Sequence, residues 1–223
     1  MSLVKTKAFV IRSMKYSDSS RILTLLTEQL GKVSVIHKGA RKNSRNGSTG
    51  SFSCLEAMIY FKENREIQLL SQANSIETFR NIDTDIDRIR AVYIALELIN
   101  RCTPVNSVDR ILYEMTYGFF HGIDSLHNNP EFELLRFLIR FSEYLGLSPE
   151  AGNERFETFF TRSGFTLNKP DMEFLIEIKS ESFKADNHTE VNLNKLCRFY
   201  EQHLLDNSVG SNYQRARNVF DQL

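Results

Sequence analysis

Few residues in this chain are spaced for bond-making chemistry, and those with a strong pattern are cationic. His37, His121, His127, His188 and His203 show none of the spacings that bring two imidazoles onto one metal. Cys54, Cys102 and Cys197 lie far apart, so they read as reduced, mostly buried thiols rather than zinc ligands or a disulfide framework. Asp83, Asp85 and Asp87 alternate about a helix start. There carboxylates complement the helix dipole and do not converge on one cation. No glycine-rich phosphate loop of the Walker or dinucleotide type occurs. The expectation is a protein that is not an enzyme and needs no metal or other cofactor.

The cationic pattern is Lys38-Gly39-Ala40-Arg41-Lys42-Asn43-Ser44-Arg45, with four cations among small residues and no acid. Clustered Lys and Arg neutralise phosphates and release their counterions, which drives binding and makes it salt-sensitive. Lys5, Lys7, Arg12, Lys15 and Arg21 precede the loop and could extend it into a groove. Phe9, Tyr16 and Phe52 are near enough in sequence to offer stacking surfaces for unpaired bases, worth about 1–3 kcal/mol per base, although Phe9 and Phe52 read first as core packing. His37 adjoins the loop and is the histidine to watch.

Net charge is zero over 223 residues, but the average hides a split. Residues 1–80 carry 13 Lys and Arg against 6 Asp and Glu, whereas residues 81–223 carry 15 against 22. Such asymmetry suggests that one half meets a polyanion. No apolar run approaches the roughly 20 residues that span a bilayer. The N-terminus lacks the long apolar stretch of a signal peptide, so the expected location is the cytoplasm, with no membrane partner.

The residues that carry the cations must sit on strands. Val4, Thr6, Ala8 and Val10 share one face of an opening strand, with Lys5, Lys7 and Phe9 on the other. Residues 20–27 and 32–38 form a strand pair around Glu28-Gln29-Leu30-Gly31, where Gly31 suits a positive φ. Residues 52–61 and 66–75 add strands on either side of a turn at Asn64-Arg65, after a glycine- and serine-rich loop at 43–53. Five strands without a helix signal predict a small antiparallel barrel or rolled sheet over residues 1–80.

From Asn81 the apolar period becomes helical through Ile82, Ile86, Ile89, Val92, Tyr93, Leu96 and Ile99. Ser107 is the expected N-cap of a second helix, and Glu131 opens a third that is apolar on most of its circumference. Residues 150–170 read as an irregular excursion with short strands, and helices return near 171–180, 192–205 and 212–223. The expected division is therefore a basic β domain, 1–80, and a helical domain, 81–223.

The opening segment resembles that of the RecO family, bacterial recombination mediators. The matching pieces are Val10-Ile11-Arg12, Tyr16, the run Arg21 to Thr27, Gly31 to Ile36, Lys38-Gly39-Ala40-Arg41 and Ser44-Arg45. Weaker likeness continues through Phe52 to Glu56 and Tyr144 to Glu150. The resemblance implies an α+β multidomain protein, an N-terminal OB-fold β-barrel followed by an all-helical domain. It further implies binding of single- and double-stranded DNA, annealing of complementary strands, work with RecR, and contact with the C-terminal tail of single-strand DNA-binding protein. RecA would be served indirectly, and the location would be cytoplasmic and nucleoid-associated.

Many members carry a four-cysteine zinc site after the segment matching Tyr144 to Glu150. Residues 151–164 contain no cysteine, so the expectation is loss of the metal and packing of Phe156, Phe159 or Phe160 in its place. An acidic tail with a terminal aromatic residue needs a cation beside an apolar pocket. Arg136 and Arg140, one turn apart on the third helix, are the expected contacts. The alternative function is a protein-interaction adaptor that binds acidic tails and little DNA.

Overall fold

The computed structural model describes residues 2–38, 52–149, 155–178 and 191–207. Five strands come first: β1 (Ser2–Lys15), β2 (Arg21–Thr27), β3 (Gly31–His37), β4 (Ser53–Phe61) and β5 (Ile67–Thr78). They close into a barrel in the order β1-β2-β3-β5-β4. β1 makes closure possible because it is long and curls. Its first half pairs with β4 (Ser2↔Phe61 to Phe9↔Cys54), and its second half pairs with β2 (Ala8↔Thr27 to Lys15↔Arg21). A register shift between Val10 and Arg12 marks a bulge in the β1–β2 pairing, a device that increases local twist. The β3–β5 pairing is parallel, which corrects the expectation of a wholly antiparallel barrel. β1 also runs past Val10 as far as Lys15.

Alternation along the strands divides the barrel's residues. Ala8, Leu23, Leu25, Val33, Val35, Leu55, Ala57, Ile59, Leu70 and Ala73 fill its interior. Phe9, Ile11, Leu26, Phe52 and Cys54 are also buried, but in a second core that they share with the helices. The β2–β3 turn has Gly31 at φ +67°, and a Cβ there would lie 1.9 Å from the Ser107 carbonyl oxygen. Glycine is thus required twice, for its conformation and for the close approach of the segment ahead of the second helix.

After a short 3-10 turn (Ile82–Thr84), the helices are α1 (Ile86–Cys102), α2 (Arg110–Asp124), α3 (Pro130–Tyr144), α4 (Phe156–Arg162), α5 (Lys169–Glu177) and α6 (Leu193–Asp206). Asp85 caps α1 by accepting from the Asp87 amide. The cap of α2 is Asp109, which accepts from the Leu112 amide, rather than the expected Ser107. Ser107 is held instead against the β2–β3 turn. Asn129 caps α3 with Pro130 in its first turn, where a missing amide proton costs nothing. Residues 156–162 are helical, which corrects the expected short strands. Phe156 and Phe160, four apart, share one buried face. The expected helix at 212–223 lies outside the described residues.

α3 is buried through Phe132, Leu134, Leu135, Phe137, Leu138, Ile139 and Phe141, as its nearly continuous apolar sequence requires. α2 is fastened to β5 by Glu77. Its Oε2 accepts from the Tyr117 hydroxyl at 2.9 Å, and its Oε1 lies 3.1 Å from His121 Nε2. Among the described residues, no helix is long and apolar enough to cross a membrane.

Candidate nucleic-acid interface and partner groove

One end of the barrel carries a row of basic residues. Lys15, Arg21 and His37 are consecutive register partners across β1, β2 and β3, and the row continues to Leu70. Leu70 belongs to the barrel interior, so the row lies on the inward face, but at the strand ends where the barrel opens. The Arg21 guanidinium donates to Ser13 Oγ at 3.2 Å. Lys15 lies 3.6 Å from Asp18, with both side chains exposed, so salt and solvent leave that pair weak. Lys38 follows His37 and is exposed. Arg12, exposed beside Thr24, faces outward just behind the rim. Tyr16 is 62% exposed at the β1–β2 turn, so its ring is available. Burial lowers the pKa of His37, so the rim's charge near neutral pH comes from its lysines and arginine.

Lys5 and Lys7 form a separate group. They sit on the outer face of the first half of β1, where Lys7 is opposite Glu56 and Lys5 Nζ lies 2.9 Å from Glu56 Oε2. Eight residues separate Lys7 from Lys15, up to about 26 Å along a strand. The strand register thus sorts the described cations into a rim and a flank. Arg41, Lys42 and Arg45 lie outside the described residues.

Phe9 and Phe52 are core residues, the first of their two readings, and are not surfaces for stacking. Phe9 is fully buried, with ring centroids 4.7 Å from Phe120 and 5.6 Å from Tyr113, because α2 covers this part of the barrel. Phe52 is buried and packs edge-on against Tyr93. The apolar residues on the barrel's outer surface are elsewhere. Leu3, Tyr60, Leu69, Ile36, Ile22 and Met14 are register partners in unbroken succession around the outside of all five strands. None belongs to either buried core; Leu3 and Met14 are exposed, and Tyr60, Leu69, Ile36 and Ile22 are half-buried. The belt runs next to the basic rim. Its signal in the sequence is alternation: Ile22 and Ile36 fall on the opposite strand face from Leu23, Leu25, Val33 and Val35.

A second concave feature lies between α2 and α3, with a volume of about 250 Å³. Met115, Phe119 and Phe137 give it an apolar lining, and Arg136 and Arg140 line it from α3. The structure therefore sets both expected arginines at one apolar groove. Arg136 Nε is buried without a hydrogen-bond partner among the described residues. Sequence reading missed Gly118 and Glu133. A Cβ at Gly118 would meet nothing within 4 Å, so the groove is open there. Glu133 is buried, and its Oε1 accepts from Asn128 Nδ2 at 2.9 Å. Burial pushes its carboxyl pKa up, while Arg136 and Arg140 pull it down.

Among the described residues, no three His, Cys, Asp or Glu side chains converge as a metal site. The helix α4 segment offers phenylalanines where zinc would need thiolates. Phe156 and Phe160 are buried, and Phe159 packs edge-on against Phe199. This chemistry does not fit the metal.

Two family descriptions match the chain in succession. "Recombination protein O N terminal" matches residues 1–79, and "Recombination protein O C terminal" matches residues 83–154. Similar curated proteins include the DNA repair protein RecO of Chlorobium limicola, 31% identical over 150 residues, which are 66% of this chain and 57% of that protein. That of Pelodictyon phaeoclathratiforme is 32% identical over 152 residues with the same shares. That of Heliobacterium modesticaldum is 33% identical over 107 residues, 48% of this chain and 39% of that protein. The matched region thus spans little more than half the length of the first two relatives.

Proposed function

Because the chain belongs to the RecO family, we propose that it is a DNA repair and recombination mediator, one that binds single- and double-stranded DNA and anneals complementary strands. It would assist RecA loading together with RecR and single-strand DNA-binding protein, in the cytoplasm at the nucleoid. The observation that carries this reading is the closed barrel whose open end is rimmed by Lys15, Arg21 and Lys38, with Arg12 behind them and a partly exposed apolar belt alongside.

The mechanism follows from that juxtaposition. Rim cations take up phosphates and release condensed counterions, independently of base sequence. Neutralising phosphates on two strands removes the repulsion that opposes their meeting. Tyr16 and the belt give unpaired bases an apolar surface to rest on until they pair. None of these steps breaks a covalent bond. The α2–α3 groove matches an acidic tail with a terminal aromatic residue, such as that of single-strand DNA-binding protein. The ring would enter between Met115, Phe119 and Phe137, and the carboxylates would meet Arg136 and Arg140.

The test is an annealing assay with complementary oligonucleotides, bare or coated with single-strand DNA-binding protein, beside binding measured from 50 to 200 mM salt. Faster annealing and affinity that falls by orders of magnitude with salt are expected. No binding at 50 mM salt would remove the reading. The groove favours a second reading, an adaptor for acidic protein tails with little DNA binding. Tail-peptide affinity that persists while oligonucleotide affinity is absent would select it.

A further inference from the structure

The α2–α3 groove holds more carboxylate than a receptor for acidic ligands requires. Arg136 and Arg140 line it from α3, but so does Glu133, while Glu114 lines it from α2. The two acids differ in setting. Glu114 is exposed and accepts from Arg110 Nε at 3.1 Å, so its charge is already engaged. Glu133 is buried one turn from Arg136, and its hydrogen bond comes from the neutral Asn128 amide. α2 also makes room for it. A Cβ on Gly122 would lie 2.4 Å from Glu133 Oε2, so a side chain there would push the carboxylate from its present seat. Glycine is the least favourable helix residue after proline, and α2 carries it here in its last turn.

We propose that Glu133 is an internal competitor for Arg136 and Arg140, one that holds down the groove's affinity for acidic peptides and keeps their capture readily reversible. The inference rests on the reading of this groove as a receptor for an acidic tail. Physically, an incoming carboxylate meets the field of two guanidiniums already offset by the Glu133 carboxyl wherever it is ionised, in a poorly solvated position. In that setting a charge several ångströms away acts much more strongly than it would in water. A ligand carboxylate therefore gains less from the two guanidiniums, which shortens its residence.

The test uses a fluorescent synthetic peptide of several acidic residues ending in phenylalanine, and its counterpart with Asn and Gln in place of the acids. Glu133→Gln keeps the acceptor for Asn128 and the volume beside Gly122, and removes only the charge. It is expected to tighten acidic-peptide binding about tenfold, mainly through slower dissociation, and to leave the neutral peptide unchanged. The gain should vanish when Arg136 and Arg140 are both Gln, a coupling that a purely structural role would not produce. Glu133→Ala should move affinity in the same direction. Unchanged or weaker binding by a variant that is folded at the assay temperature would overturn the proposal, as would an equal gain for the neutral peptide. Failure of both wild type and variant to bind the acidic peptide would overturn the groove reading itself, and the proposal with it.

Discussion

Lys32, the second residue of β3, extends its Nζ to within 2.6 Å of the Asn100 carbonyl oxygen in the last turn of α1. The same ammonium also donates to the Thr103 carbonyl. The last carbonyls of a helix have no partners within it and carry the negative end of its dipole, so a cation there satisfies both needs. The Lys32 carbonyl in turn accepts from the Asn106 amide at 2.8 Å. This one residue ties the barrel to the helical part beside the core they share.

Lys32→Met should therefore destabilise the whole molecule rather than the barrel alone. It removes charged hydrogen bonds worth about 1.5–3 kcal/mol and leaves buried carbonyls unmet. Thermal unfolding should show a lower midpoint, and the barrel and helices should still melt together. Separate transitions would mean that the contact is incidental.

The two groups of cations should differ in their effect on DNA. Lys15→Ala with Arg21→Ala should lower the slope of log affinity against log salt by roughly 0.7 per lost contact on a single strand. Lys5→Ala should change it little, because Lys5 sits on the barrel flank beside Glu56, away from the rim. A salt titration of oligonucleotide binding checks both, and equal effects would show that the flank and the rim serve one DNA path.

Gly118→Leu should fill the α2–α3 groove without harming the fold. A side chain there meets open space, and leucine is a better helix former than glycine by roughly 0.8 kcal/mol. Melting should be unchanged or raised, while binding of an acidic peptide ending in phenylalanine should fall at least about tenfold, the effect of losing one well-placed contact. Retained affinity in a stable variant would place the peptide elsewhere.

Glu133 should also leave a mark on stability against pH. Burial raises its carboxyl above the ordinary value of 4.5, so the folded state binds the proton more tightly than the unfolded one. The resulting stabilisation is full below about pH 4.5 and is lost as pH rises through the raised value. Calorimetric midpoints of wild type should therefore decline relative to Glu133→Gln over that rise. Parallel curves would show that the carboxyl is not perturbed.

The strands, their faces, the turn at Gly31 and most of the helices were legible in the sequence, because period-2 and period-3.6 patterns and capping residues act locally. Thr6 and Ala8 point inward, and Lys5, Lys7 and Phe9 point outward, as alternation along β1 requires. The resemblance of residues 10–45 to one family narrowed the pattern's barrel or rolled sheet to a barrel, because closure is not a local property. What only the tertiary structure decided is which outward positions stay exposed. Phe9 and Met14 both face out from β1, yet Phe9 lies beneath α2 and Met14 stands exposed in the belt. Nothing within the strand distinguishes them, since the difference is made by helices more than a hundred residues further along the chain. The same holds for Glu133, whose place at the groove depends on a glycine of another helix, and for Lys32, whose partners are carbonyls 68 and 71 residues away. Local sequence sets the direction of a side chain, and packing between distant segments sets what it meets.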